Sequence, residues 1–160
     1  MPLVREEDTV LEGLLEVARL LLLDAKTAPK SLGRDDVDMV LVWGAEKDKI
    51  AEEMERIARE KQDPYYLRDA ESVRKAQAMI LMGTKGKVEG DVLKIVDLGI
   101  AIGSLVKLAS TFGIDTRIMY RAGVAAKRIG ILRESEIVLG VPLAVYSKSP
   151  FFDRQVPKLN

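Results

Sequence analysis

The chain has 160 residues, nearly half of them apolar, with 25 basic and 25 acidic side chains and a formal net charge of zero. That length and apolar content suit one compact domain, and the charge balance lacks the basic excess that grips a nucleic-acid backbone. Cysteine and histidine are both absent, which excludes disulfides, thiolate metal sites, cysteine nucleophiles and any base built on imidazole.

In chain order, Asp8 and Thr9 stand where a helix cap is expected, ahead of Val10, Leu11, Leu14, Leu15, Ala18, Leu21 and Leu22 at helical spacing. This helix is expected to end near Thr27, because Pro29 disfavours helix at Ala28. A polar loop carrying Lys30, Ser31, Gly33, Arg34, Asp35 and Asp36 leads to a short apolar run, Val37 to Gly44, that reads as a buried strand. Glu46 to Lys61 has the pattern of an amphipathic helix, and Asp63-Pro64 breaks it. Asp69 to Ala76 reads as a short helix and Ala78 to Gly83 as a second buried strand.

The turn-like "GTKGKVEG" follows, without the Gly-Lys-Ser/Thr ending that opens a phosphate-binding helix, so nucleoside triphosphate binding is not expected. Asp97 to Phe112 is apolar almost all round and reads as a central buried helix, with Gly99 and Gly103 forming a flat seam for another helix. A further helix is expected over about Gly123 to Ile131, and Glu136 to Tyr146 as a third strand. Interleaved helices and strands imply a layered α/β or α+β domain.

Asn occurs only at position 160 and Gln at three positions, while 31% of the residues are charged. This pattern implies a heat-adapted protein. The apolar runs Val17 to Leu23 and Ile95 to Val106 are too short to span a membrane, and the acidic N-terminus does not read as a signal peptide. A cytoplasmic address follows as the default expectation.

Two segments together resemble the nitroreductase-like flavoprotein superfamily: "ARLLLLDAKTAPKSLGRDDVDMVLV" and "DLGIAIGSLVKLASTFGIDTRIMY" with its continuation "GILRESEIVLGVPLAVYSKSP". Four segments in order are similar to an uncharacterised prokaryotic family described as containing a ferredoxin-like domain. They are Ala25 to Lys30, Tyr66 to Glu71, Asp97 to Ser104 and Ser147 to Arg154. The chain departs from that family's cysteine-rich insert, since it has "GTKGKVEGDVLKIV" at that place, and a thiolate-held iron–sulfur cluster is therefore not expected. It also carries only Arg5 where nitroreductases have an Arg-rich motif.

The resemblance implies an α+β fold with a mainly antiparallel sheet flanked by helices, a single domain over 1–160 with 147–160 as an extended tail, and a homodimer. The long apolar helix independently favours the dimer, because a small monomer covers only one side of it. The resemblance further implies FMN as cofactor, with Lys26, Lys30, Ser31, Gly33 and Arg34 of the loop and Lys148 and Arg154 of the tail as candidate binding residues. Arg suits a phosphate because its fork meets two oxygens.

Two functional classes stay open: an FMN-dependent oxidoreductase, and a non-catalytic dimeric scaffold for a redox partner, or small-anion-binding relative, that has lost the cofactor. Lys and Arg beside Asp35 and Asp36 also suit a merely solvated loop, and Phe151 and Phe152 suit docking of the tail. Tyr65-Tyr66-Leu67-Arg68-Asp69 concentrates aromatic, cationic and anionic groups in what reads as a loop before a helix, for packing or for a ligand. The pairs Glu6-Glu7 and Asp35-Asp36 lack the spacing of a calcium loop.

Overall fold

In a computed structural model, which describes residues 3–159, the chain runs through α1 (Glu6–Thr27), β1 (Val37–Trp43), α2 (Gly44–Lys61) and α3 (Tyr65–Lys75). It continues through β2 (Ala78–Thr84), α4 (Val92–Thr111), β3 (Asp115–Thr116), α5 (Tyr120–Arg128) and β4 (Val138–Ala144). The four strands lie in the order β1-β2-β4-β3, and every neighbouring pair is antiparallel. This is the antiparallel α+β architecture expected from the sequence.

Alternation along the strands divides the core into two layers. Ala78, Ile80 and Met82 of β2 pack with α1 and α4 through Leu14, Leu21, Leu98 and Leu105. Met79 and Leu81 point to the other face, where Ile50, Met54 and Ile57 of α2, Val73 of α3 and Ala122 of α5 cover them. Burial of both faces explains why β2, the central strand beside β1 and β4, is apolar from Ala78 to Gly83 without a polar alternate.

Several boundaries differ from the expected ones. α1 begins at Glu6, with Thr9 inside its first turn bonding back to the Arg5 carbonyl at 3.0 Å; the side chain of Asp8 lies outside the described residues. α3 begins at Tyr65 instead of Asp69, because Pro64 is tolerated at a helix start and the Asp63 carboxylate accepts the Tyr65 N–H at 3.0 Å. α4 is one-sided and not a central buried helix: Leu98, Ala101, Ile102, Leu105 and Ala109 are buried, while Val92, Ile95, Val96 and Ile100 are exposed. Gly99 and Gly103 lie on that open side, with no atom near enough to touch an added Cβ. Among the described residues no helix is long and apolar enough to cross a membrane.

Candidate functional site

The loop from α1 to β1 is folded onto its own surroundings. Lys30 Nζ donates to the carbonyls of Ala25, Lys26 and Ala28 at 2.9, 2.9 and 3.0 Å, closing the negative end of α1. Ser31 donates through both its N–H and its hydroxyl to Asp97 Oδ1, each at 2.9 Å, and so ties the loop to α4. Arg34 forks onto Asp91 at 2.7 and 3.3 Å and its Nε lies 3.2 Å from Asp36; the Asp91 pair, above all, raises the guanidinium pKa. Lys26 pairs with Asp35, and Lys26 first, then Lys85, hold that carboxyl down at about 2. Gly33 has a left-handed backbone, as does Leu32 before it, which leaves the Leu32 side chain 90% exposed at the loop tip.

The tail lies on the opposite face of the sheet, where Phe151 is buried in the α2, α3 and α5 layer. Lys148 pairs with Asp153 at 3.1 Å in an exposed ion pair. Arg154 is largely buried and donates to Asp69 at 3.0 Å and to Ser72 at 3.2 Å. A single chain therefore does not bring the loop cations together with Arg154.

Around Arg154 a different set converges. An open cleft of about 470 Å³ lies between the end of α2, the start of α3, the β3–α5 connection and the tail. Its organising group is the buried carboxylate of Asp69. Arg68 donates to Asp69 Oδ1 through Nε at 3.0 Å and Nη2 at 2.9 Å, Arg154 reaches the same oxygen, and Arg121 approaches Oδ2 at 3.4 Å. Arg121 is shared with Asp63.

Lys61 and Arg117 add two more cations to the wall, and Arg117 pairs with no carboxylate among the described residues. The cleft thus carries five cations against the two carboxylates Asp63 and Asp69. Arg154 registers the surplus: burial lowers its pKa first, then repulsion from Arg68 and Arg117, with Asp69 opposing.

Aromatic faces complete the site. Arg121 sits 5.3 and 5.4 Å from the ring centres of Tyr65 and Tyr66, and Arg68 sits 5.1 Å from that of Tyr65. Burial pushes the Tyr66 hydroxyl pKa up, so this group stays protonated as a hydrogen-bond donor near neutral pH. Excess guanidinium beside aromatic rings suits a planar ligand bearing negative charge. The cluster Tyr65 to Asp69 is visible in the sequence; Lys61, Arg117 and Arg121 carry no signal there, and only their proximity in the fold marks them.

Residues 91–154, which include α4, α5, β4, Arg117, Arg121 and Arg154, match the model of a family described as "Uncharacterized protein containing a ferredoxin domain". A protein of Archaeoglobus fulgidus described as "Uncharacterized protein" is 42% identical, with 98% of this chain and 100% of that protein covered. The alignment runs over 185 positions against 160 residues here, so the relative carries residues that have no counterpart in this chain.

Among solved structures, the FMN-dependent nitroreductase NfnB of Mycobacterium smegmatis, in complex with NADPH, superposes with a TM-score of 0.65 at 15% identity, over 91% of this chain and 85% of that one. A nitroreductase with bound FMN from Desulfitobacterium hafniense DCB-2 gives 0.65 at 16% identity, over 91% and 82%. The FMN and NADPH-dependent nitroreductase NfnB from sphigopyxis sp. strain HMH gives 0.66 at 14% identity, over 100% and 87%. The fold is nitroreductase-like.

Proposed function

The chain belongs to the family described as uncharacterized proteins containing a ferredoxin domain, and from that premise we propose that it is an FMN-binding oxidoreductase of nitroreductase-like fold. The observation that carries this reading is the surplus of guanidinium groups beside Tyr66 in the Asp69 cleft. The family's description names a ferredoxin domain, but this chain has no cysteine and does not fit a cluster held by thiolates. Flavin chemistry requires no such ligands: FMN, when bound, supplies two-electron transfer that the side chains of a chain without cysteine do not.

In this reading Arg154, Arg117 and Arg121 meet the phosphate, and Tyr66 and Tyr120 line the approach of the planar group. The loop residues Lys26, Lys30, Ser31, Gly33 and Arg34 belong to the same site only across two chains, because loop and tail flank opposite sheet faces. A homodimer through the open face of α4 provides the second chain. Lys148 lines a neighbouring cleft and not this one.

Titration of the apoprotein with FMN tests the reading through quenching of flavin fluorescence. Arg154→Ala is expected to weaken FMN by on the order of 1.5–3 kcal/mol, the worth of charge-assisted bonds. Unchanged fluorescence at concentrations far above typical cofactor affinities would sink the proposal.

A second reading, a non-catalytic relative holding a small anion, draws on the internal pairing of the loop cations, which leaves them no need of a ligand. Inorganic phosphate that binds where FMN does not would favour it.

Heat resistance is part of the proposal. Shared ion pairs such as Glu53 and Glu60 on Arg128 have a desolvation cost that falls with temperature. Calorimetry is expected to place the melting transition above the ~45–65 °C mesophile range; a transition inside that range would contradict it.

A further inference from the structure

A second cleft, of about 680 Å³, opens on the far side of Arg154 between α3 and the tail. Its floor is set by four pins. Gln77 exchanges two hydrogen bonds with the Val145 backbone, both at 3.1 Å, and the Tyr146 hydroxyl donates to the Lys75 carbonyl at 2.6 Å. Phe151 is buried in the core, and Arg154 is held by Asp69 and Ser72. Between these pins the chain is shaped rather than loose, for Asp153 holds a left-handed backbone with φ of 53°.

That pinned segment presents groups the fold itself does not consume. The Phe152 ring is 65% exposed although its neighbour Phe151 is buried, and half of Tyr146 is open on the same cleft. Lys75 and Lys148 also line it, tied only to Glu71 and Asp153 in exposed pairs. Such pairs contribute little, so both ammonium groups can turn to a ligand at small cost. Arg154 lines both clefts and forms the wall between them, its Nη1 donating to both Asp69 and Ser72.

The geometry points to a separate binding site here for a nucleoside monophosphate: a base stacked on Phe152 and Tyr146, and a phosphate taken by Lys75 and Lys148. The cleft volume lies within the range of small-ligand sites. The site stands independently of whether FMN occupies the first cleft.

AMP is the probe, with adenosine and ribose 5-phosphate as controls lacking the phosphate or the ring. Amide resonances of the full chain are followed during titration, with and without FMN. AMP is expected to give saturable shifts in residues 71–75 and 146–155 in both conditions. Lys148→Ala and Phe152→Ala are each expected to weaken it about tenfold, while both controls bind more weakly than AMP. A chain that fails to take FMN while AMP still moves these residues removes the earlier proposal and keeps this one. Three results overturn it: no saturable shift, ribose 5-phosphate binding as well as AMP, or displacement of AMP by FMN, which would make the two clefts one site.

Discussion

Replacing Gly123 by Ala is expected to destabilise the fold by roughly 3 kcal/mol, a large effect for one methyl group. α5 lies directly on β4 at this point: an added Cβ would stand 1.8 Å from the Val138 carbonyl oxygen, 2.3 Å from its carbon and 2.9 Å from the Leu139 nitrogen. All three are backbone atoms of a strand held on both sides, so no rotamer change relieves the overlap. The close approach extends along β4, since a Cβ on Gly140 would meet the Ala122 Cβ at 2.8 Å. Ala improves helix propensity by ~1 kcal/mol over Gly, which is too little to offset the clash.

Gly13→Ala in α1 is the control, because its Cβ would meet only the Thr9 methyl at 4.0 Å; it is expected to stabilise by up to ~1 kcal/mol. Urea denaturation of the two variants checks the contrast. A Gly123→Ala midpoint equal to that of the parent would mean that α5 does not seat on β4 as described. The same displacement also reaches the site, since α5 carries Tyr120 and Arg121 along the wall of the Asp69 cleft. Any Gly123→Ala protein that still folds is therefore expected to lose ligand affinity as well.

What is legible in the sequence follows from which forces are local. β1, β2 and α2 lie within one or two residues of their expected bounds, because apolar runs and helical periodicity are written into consecutive positions. β3 carries no such signal: two residues, Asp115 and Thr116, become a strand only by pairing with Ala144 and Leu143. α4 shows the limit of composition, for an apolar side chain reads alike whether it faces the core or open space. Leu98 and Ile102 are covered while Val96 and Ile100, on the same helix, are not.

The cleft follows the same division. Tyr65 to Asp69 stands out because its unusual groups are consecutive. Arg121 meets Asp69 across 52 residues and Arg154 meets it across 85, a convergence that only the sheet order creates. The loop cations are equally ambiguous in sequence: Asp35, only nine residues away, partners Lys26, but Arg34 finds Asp91 across 57 residues and Ser31 finds Asp97 across 66.

Placing leucine at both Gly99 and Gly103 is expected to weaken the proposed homodimer by about 100-fold or more, equivalent to ~3 kcal/mol, while leaving each chain folded. The two effects separate because the added side chains enter open space in the single chain: no atom lies within 4 Å of a Cβ placed on either glycine. Leu is also a better helix former than Gly, so α4 itself is expected to gain stability. Across an interface the consequence reverses. Val92, Ile95, Val96 and Ile100 surround the glycines with exposed apolar surface, and the missing side chains let a second helix approach closely. Filling that seam holds the helices apart and removes the packing of all four neighbours at once.

Sedimentation equilibrium across nanomolar to micromolar concentrations measures the shift, with thermal unfolding run beside it. A parent chain that is monomeric throughout would remove the dimer, and with it the route by which Lys30 and Arg34 share a site with Arg154. A parent dimer that survives both substitutions would place its interface on another surface, away from α4.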